Sequence, residues 1–309
     1  MRPKCLQVVL LLGLLLVSVT ALSSVPLVHA QPASAAASVR VGVYLVNVQS
    51  VNLQAGTYNL DFYLWFNSTG NPQYVDYEFT NGQVTSLDVV QNTSSYQEYR
   101  VWGTFQTTFG FQQFPFDNHD LTIDIEDRTL TVNQLVFTPD PTSGYDPTAG
   151  ISGWQLSGGT MQVTTHEYPG QVFSRAVFSV TINRFQLQSF LEDILPIALV
   201  TLIGMMVFVL PVERTFERTF LSVTTLVSAV AISVSTMSQV PSVGYLTLAD
   251  EISITVFILF AYSIGVSVWL TRMVVNGDKE NAERINLKAA ILVPVVVVIF
   301  LGLQLVGFA

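Results

Sequence analysis

The chain has 309 residues, of which half are hydrophobic and 11% are charged, and its formal net charge at neutral pH is −9. Soluble globular proteins carry about 25% charged residues, so this composition indicates a membrane protein with a sizeable part in water. The negative charge argues against nucleic acid as a partner.

The first thirty residues are typical of a secretory signal peptide. A basic start precedes an apolar run at 6–22, and a small-residue cleavage site ends at Ala30. The one cysteine of the chain, Cys5, falls inside this segment, so we predict a mature protein without a disulfide.

Residues 31–184 predict an all-β extracellular domain. Apolar side chains alternate with polar ones at 39–45, 62–66, 121–125 and 176–182, with turn-forming residues between these stretches. Such alternation is typical of strands with one buried face, and the pattern favours an antiparallel β-sandwich. This stretch contains thirteen acidic residues and five arginines, so its formal charge is −8. A domain with this charge attracts cations or cationic ligands.

Residues 185–309 predict a transmembrane domain of four helices. Apolar segments lie at about 190–210, 219–239, 250–275 and 287–309, each close to the ~20 residues that span a bilayer. Basic residues follow the first and third segments, so both loops are predicted to be cytoplasmic. We therefore expect a multi-pass protein of the cell membrane, with its N-terminal domain and its C-terminus outside.

The second apolar segment is rich in hydroxyl groups and begins with Glu217 and Arg218. On a helix, Glu217, Thr224, Ser228 and Ser235 fall within about 40° of one another. One interpretation is helix packing, because small and hydroxylated faces let membrane helices approach closely. The other is that several copies of this face surround water, which requires a symmetric oligomer.

Two stretches of the sequence resemble a known family, the pentameric ligand-gated ion channels (the Cys-loop receptor superfamily). Within FQQFPFDNHDLTIDIED, at 111–127, the residues Phe114-Pro115-Phe116-Asp117 resemble the Phe-Pro-Phe-Asp turn of that family. At 184–250, an arginine before the first apolar segment, ERTFLSVTTLV in the second and VPSVGYLTLAD before the third are also similar. The resemblance covers nearly all of the mature chain, and the family's two half-cystines are absent, as in its prokaryotic members.

The resemblance implies a homopentamer in the membrane, with a central pore lined by the second helix. Glu217 would form a ring of five carboxylates at the inner mouth, which concentrates cations and repels anions. The implied function is a cation-selective ion channel for monovalent cations, gated by a ligand or by protons. The pore-lining residues implied are Glu217, Phe220, Thr224, Val227, Ala231, Val234, Ser235 and Ser238.

The resemblance also implies how the two domains are coupled. Asp117 would face the membrane domain, Arg184 would pair with it or with a neighbouring acid, and the loop 240–247 would receive the motion. Considered without the resemblance, Asp117 is equally a turn-stabilising side chain and Arg184 a snorkelling arginine. The implied gating interface comprises Phe114, Pro115, Phe116, Asp117, Arg184, Pro241 and Tyr245.

An agonist pocket is implied between neighbouring sandwiches. Tyr63 and Trp65 would line one side, and Tyr145, Tyr168 and Phe173 the other. An aromatic cage suits a cation beside an acidic surface, although strand aromatics more often fill a core or an interface. The agonist would then be a small molecule or a proton.

Two further interpretations concern Phe220 and the histidines. The family has a small or polar residue where Phe220 stands, and five phenyl rings there would obstruct the pore. The alternative function is therefore a non-conducting, membrane-anchored ligand-binding receptor. His119 and His166 lack metal-ligand spacing and are interpreted as polar residues that are also candidate pH sensors. No catalytic pairing, metal motif or phosphate loop occurs, so we predict no enzyme, no metal site and no cofactor.

Overall fold

The computed structural model describes residues 36–68 and 74–307, with side-chain environments as far as Val293 and for Val295. The chain from Ala37 onward forms one compact unit. The predicted signal peptide at 1–30 lies outside the described residues.

Ten strands form the N-terminal half of the described chain. The alternating stretches of the sequence fall within strands, because burying one face of each strand removes its apolar side chains from water. The strands are β1 (Ala37–Asn52), β2 (Thr57–Ser68), β3 (Tyr77–Phe79), β4 (Gly82–Asn92), β5 (Tyr96–Gln106), β6 (Asn118–Asp127), β7 (Leu135–Pro139), β8 (Gly144–Tyr145), β9 (Trp154–Tyr168) and β10 (Gln171–Arg184).

The strands form two sheets, and the sandwich is not purely antiparallel. One sheet has the order β4-β5-β2-β1-β7, with β8 also on β1, and the other has the order β3-β6-β10-β9. β1 runs parallel to both β7 and β8, in contrast to the prediction. Alternation within a strand shows which face is buried, but it does not show whether the neighbouring strand runs parallel or antiparallel. The sequence pattern therefore did not predict these parallel pairings.

The core between the two sheets consists of the inward side chains that the alternation predicts. Val41, Phe62, Ile123 and Phe178 are each fully buried in it. Ala249, at the start of a membrane helix, belongs to the same buried cluster. The core of the sandwich therefore continues into the helical part of the chain.

Four helical segments follow, and three of them are long and apolar enough to cross a membrane. The first three begin two to four residues before the predicted apolar segments, because each helix starts in more polar residues; the first two end two residues early and the third ends at Val275 as predicted. The fourth begins eight residues earlier than predicted, since its polar start forms helix-stabilising pairs such as Arg284–Glu280. The helices are α1 (Gln186–Phe208), α2 (Thr215–Met237), α3 (Leu248–Val275) and α4 (Lys279–Gly307).

The first helix is irregular near the sandwich. It contains a π-helical turn at Phe190–Ile194, and regular α-helix resumes at Leu195 with Pro196 in its first turn. Proline has no backbone N–H, and the wider turn preceding it accommodates that missing donor. Because β10 ends at Arg184 and α1 begins at Gln186, only one residue separates the sandwich from the membrane segment.

Candidate functional site

One face of α2 is exposed along its whole length. All eight residues predicted to line a pore lie on this exposed face. Arg218, Ser222, Thr225, Ala229, Ser233 and Thr236 lie on the opposite, buried face, where α2 packs against α1 and α3. We call the exposed set, residues Glu217, Phe220, Thr224, Val227, Ala231, Val234, Ser235 and Ser238, the α2 stripe.

The hydroxyl groups on the two faces of α2 differ in their hydrogen bonding. On the buried face, Thr225 and Ser233 donate to backbone carbonyls one turn earlier, at 2.7 and 2.9 Å. On the stripe, Thr224 and Ser235 have no side-chain partner within the described part of the chain. The hydroxyl groups of a membrane helix usually donate to backbone carbonyls of the same helix. Because the Thr224 and Ser235 hydroxyls do not, they are free to bind water.

The inner end of the stripe carries charges of both signs. Arg214 Nη1 lies 2.9 Å from Glu217 Oε1, and both side chains are largely exposed. Five copies of Glu217 would therefore form five ion pairs with Arg214 and not five free carboxylates. The pair is exposed and screened by water, so its strength is modest.

Arg218 points away from the stripe and is only 1% exposed. Its guanidinium donates to the Leu210 carbonyl at 2.7 Å and to Asn286 Oδ1 at 2.8 Å. Asn286 in turn donates to the Phe208 carbonyl. This arginine therefore connects α2 to α4 and to the segment just after α1, where it satisfies the Leu210 carbonyl, while Asn286 satisfies the Phe208 carbonyl at the end of α1.

Phe220 lies on the α2 stripe and remains 63% exposed. Its ring stacks on that of Phe216, with centroids 6.0 Å apart and an interplanar angle of 17°. Stacking along the same helix holds the ring at this level of the stripe.

The junction between sandwich and helices contains a buried charge cluster. Asp117 is 3% exposed, and its two carboxylate oxygens each lie 2.6 Å from a partner, Arg184 Nε and His119 Nε2. Burial raises the pKa of Asp117, but the His119 hydrogen bond and the Arg184 charge outweigh it, so the net shift is downward. The guanidinium of Arg184 also lies over the rings of Phe114 and Trp154.

Backbone hydrogen bonds join the 111–117 turn directly to α3. The first two N–H groups of α3, from Leu248 and Ala249, donate to the carbonyls of Gln112 and Phe114 at 3.0 and 3.1 Å. A helix N-terminus has free donors that need acceptors, and here the sandwich supplies them. Displacement of this turn would therefore move the start of α3.

The loop between α2 and α3 has further contacts with the sandwich. The Phe111 N–H donates to the Tyr245 hydroxyl at 2.9 Å, and the Gln54 side chain donates to the Ser238 carbonyl. Pro241 and Tyr245 line a small cavity with Phe114. The predicted interface residues from both sides of the junction thus lie close together, with Pro115 joined to Phe114 by a cis peptide bond and Phe116 in the same turn.

A polar cavity of about 430 Å³ lies beside the buried cluster. Asp117, His119 and Asp120 line it, together with polar residues of the 107–113 segment. His119 is 4% exposed and contacts the rings of Phe109, Phe111 and Trp154. The imidazole itself is almost completely buried beside this cavity.

The aromatic residues predicted to bind an agonist lie on both sheets. Tyr63 and Trp65 are half-buried on β2, and the Trp65 indole donates to Asp140 at 3.1 Å. Tyr145 lies on β8 beside β1, half-buried. Within one chain, these three residues do not form a cage with Tyr168 and Phe173, the two aromatic residues of the β9–β10 hairpin.

The hairpin residues differ from the prediction in their accessibility. Phe173 is only 7% exposed and its ring packs against that of Tyr168, so it is a buried residue of the hairpin. Tyr168 is exposed, and its hydroxyl donates to the buried Glu126 carboxylate at 3.2 Å. Arg175 contacts both Glu126 and Asp124, and burial raises the pKa of Asp124 although Arg175 opposes the shift.

The chain is similar to a known channel protein. It is 24% identical over 186 residues to the pH-sensitive chloride channel 2 of Drosophila melanogaster, across 55% of this chain and 35% of that protein. The chain thus aligns with about a third of the length of this relative. No protein-family model matches the chain.

Sequence reasoning did not predict two of the residues that organise these sites. His119 had been interpreted as a polar residue, yet it is buried and bonded to Asp117; its position two residues after the aspartate was the available signal. Arg218, placed by the sequence only at the start of the second apolar segment, bonds to residues on two other segments. Its position one residue from Glu217, on the opposite face of the helix, was the only signal of that role.

Proposed function

We propose that this protein is a pentameric ion channel whose pore is lined by the α2 stripe. The observation that carries the proposal is the stripe itself, which is exposed in one chain and bears an ion-paired carboxylate, Glu217, and the hydroxyls of Thr224 and Ser235, for which the described residues supply no partner. Such groups are costly against lipid, so they require water or another subunit. A ring of identical subunits satisfies that requirement with closed symmetry.

Helix dimensions are compatible with a water-filled centre. Helices about 10 Å across, placed side by side in a ring of five, leave a central space of roughly 3–4 Å radius. Small residues such as Thr224, Ala231 and Ser235 would widen this space. The number five itself comes from the family resemblance, whereas the outside placement of the N-terminal domain and the C-terminus comes from the predicted signal peptide and the basic loops.

We further propose that the channel selects cations. Glu217 is the one acidic group of the stripe, and the outer domain, with its formal charge of −8, concentrates cations before they enter. Arg214 opposes this selection because it pairs with Glu217. The relative in Drosophila is named a chloride channel, so anion selectivity is the competing outcome.

The experiment is ionic current through the purified protein in liposomes under a salt gradient, at neutral and then acid pH. A reversal potential near that of the cation supports the proposal, and one near that of the anion refutes cation selectivity. Glu217→Gln is expected to reduce cation preference several-fold. Glu213→Gln is the matched control, because Glu213 is also exposed and paired, with Lys279, but lies off the stripe.

The agonist we propose is the extracellular proton. Histidine is the side chain that ordinarily changes its charge between pH 5 and 8, and His119 lies in the junction that joins the sandwich to α3. His119 and Arg184 both contact the Asp117 carboxylate there. The relative is named a pH-sensitive channel, which supports the same proposal.

A second candidate function, a non-conducting receptor, is favoured by one observation. Phe220 is stacked on Phe216 and exposed on the stripe, where five copies would narrow the pore. If the native protein passes no current at either pH, Phe220→Ala is expected to produce current. A silent Phe220→Ala variant, with its pentamer intact, would contradict the idea that these rings close the pore.

A further inference from the structure

The first membrane helix contains a buried carboxylate. Asp193 belongs to the π-helical turn Phe190–Ile194 of α1 and is 6% exposed. It lies about 10 Å along the helix axis from Gln186, within a helix that is long enough to cross a membrane. An ionisable group is costly to bury at such a position, and π-helical turns often occur at functional sites. Asp193 is therefore a candidate for a role beyond packing.

The hydrogen bond that Asp193 accepts joins α1 to the end of α2 nearest the sandwich. Gln239 Nε2 donates to Asp193 Oδ1 at 2.6 Å, and Gln239 lies two residues after the end of α2. The preceding residue, Ser238, is held by the sandwich, because Gln54 Nε2 donates to its carbonyl at 2.9 Å. Two successive residues thus fix this end of α2, one to α1 and the other to the sandwich.

Arg184 has a buried donor that this arrangement leaves without an acceptor. Its Nε bonds to Asp117, and its guanidinium lies over the rings of Phe114 and Trp154. Within the described residues, its Nη2 atom is buried and has no hydrogen-bond partner. A buried N–H group without an acceptor is costly, so a rearrangement that supplies an acceptor is favourable.

Asp193 is a carboxylate within electrostatic reach of Arg184. The charged groups that act on it are Arg184 and Asp117 from the sandwich and its neighbour Glu192. Glu192 is exposed and accepts from Gln188 of the same helix, so its hydrogen bond does not join two elements. Because only one residue separates β10 from α1, a displacement of the sandwich changes the separation between Arg184 and Asp193 directly.

We propose that Asp193 exchanges hydrogen-bond partners when the pore opens. With Gln239, as in this structure, it holds the end of α2 and the nearby part of the α2 stripe in place. When Arg184 moves with the sandwich, its Nη2 binds the Asp193 carboxylate, and Gln239 and the end of α2 are released. Asp193 is thus a positioning residue that acts on the pore through Gln239. This inference rests on the proposed function, because it assigns a regulatory role within the proposed channel.

Two variants separate the two contacts of Asp193. Asp193→Asn keeps an oxygen that accepts from Gln239 but removes the charge that Arg184 would bind, so the held state is favoured. Gln239→Ala removes the donor, so the held state is lost. In the liposome recordings, the pH of half-maximal current should fall in Asp193→Asn and rise in Gln239→Ala, each by about half a pH unit. A loss of packing alone would move both midpoints in the same direction.

Deuterium uptake by the same proteins measures the contact with α2 without any current. At neutral pH, peptides that span 234–244 should take up deuterium several-fold faster in Gln239→Ala than in wild type, and at the wild-type rate in Asp193→Asn. Glu192→Gln is the matched control, because it also removes a carboxylate that accepts from a glutamine amide. It should leave both measurements unchanged.

Midpoints that move in the same direction in both variants, or that do not move, would overturn the exchange of partners. Wild-type deuterium uptake in Gln239→Ala would overturn the contact that holds α2. If the wild-type protein passes no acid-evoked current, proton gating fails, and deuterium uptake alone decides whether Asp193 holds α2. Gln239 is exposed, so Gln239→Ala still provides both measurements if Asp193→Asn does not fold.

Discussion

At the scale of single residues, the junction is organised by one carboxylate. Asp117 accepts from His119 and Arg184 in a buried site where an unpaired charge would be costly. The 111–117 turn and the end of β10 are therefore held together by electrostatics as well as by packing. One partner is a histidine and the other is a permanently charged arginine, so the strength of this contact depends on pH.

The first prediction concerns the pH dependence of stability. Because the pKa of Asp117 is lowered, the folded state favours its charged form. The stabilisation is then complete above about pH 4, the ordinary range of aspartate, and is lost as pH falls through the lower folded pKa. Asp117→Asn is expected to reduce the free energy of unfolding by about 3 kcal/mol at pH 6.

Thermal unfolding followed by tryptophan fluorescence, between pH 6 and pH 3, measures this effect. The gap between wild type and Asp117→Asn should narrow below pH 4. A gap of constant size across this range would show that the charge of Asp117 does not contribute.

The second prediction concerns the response to acid. The charged groups around the His119 imidazole are Asp117 and Arg184, with Asp120 beside it and Asp193 across the junction on α1. His119→Gln retains a donor for Asp117 but cannot gain a proton. We expect the acid-evoked current to be lost, or its midpoint to move by about one pH unit.

His166→Gln is the matched control for this prediction. His166 is the other histidine of the described chain, and it contacts Tyr168 on β9, outside the junction. If both variants respond to acid like wild type, the histidine at the junction is not the sensor.

At the scale of elements, the packing of α1, α2 and α3 depends on a close approach at Gly204. A Cβ atom there would lie 2.1 Å from the buried ring of Phe260 and 2.8 Å from Thr225 Oγ1. Small residues allow membrane helices to pack at such distances. The three helices therefore form a tight unit, with the α2 stripe on its free side.

The third prediction compares two glycines in these helices. Gly204→Ala is expected to destabilise the fold by about 1–3 kcal/mol, because it overpacks a full site. Gly265→Ala meets open space and should be neutral or stabilise by up to about 1 kcal/mol. Unfolding temperatures in detergent measure both, and equal losses in the two variants would contradict this account of the packing.

At the scale of the whole molecule, the proposed function needs an assembly of several chains. The α2 stripe and the aromatic residues of β2, β8 and β9 are surfaces of one chain that would become sites only between subunits. The junction, in contrast, is complete within one chain. Proton sensing at the junction would therefore need only one chain, whereas ion conduction would need all the subunits together.

The fourth prediction tests the assembled pore. Cys5 is the one cysteine of the chain, so Cys5→Ser provides a background for single-cysteine probes. Thr224→Cys, on the stripe, is expected to react with a charged, water-soluble thiol reagent and to lose most of its current. Ser222→Cys, buried against Ser263 on α3, should not react. Reaction at Ser222→Cys alone would place the water on the other face of α2.

The sequence predicted much of the fold because its signals are local. Alternation at 121–125 or 176–182 identified strands, and apolar length identified the helices. The same logic placed Glu217, Thr224 and Ser235 on one side of α2, since residues one turn apart share a face whatever surrounds the helix. The full set of the α2 stripe was implied by the family resemblance. The parallel pairing of β1 with β7 was not predicted, because strand direction depends on a partner almost a hundred residues away.

By itself, the sequence determined the strand faces, three helices long and apolar enough to cross a membrane, and which α2 residues share a side. Only the tertiary structure decided that Phe173 is buried, that His119 shares the Asp117 carboxylate with Arg184, and that Arg218 bonds to α4 and to the segment after α1. The physical reason is the distance along the chain over which each kind of interaction acts. Periodicity is set by backbone geometry within a few residues, whereas burial and ion pairing depend on contacts such as Asp117–Arg184, which are 67 positions apart in the chain.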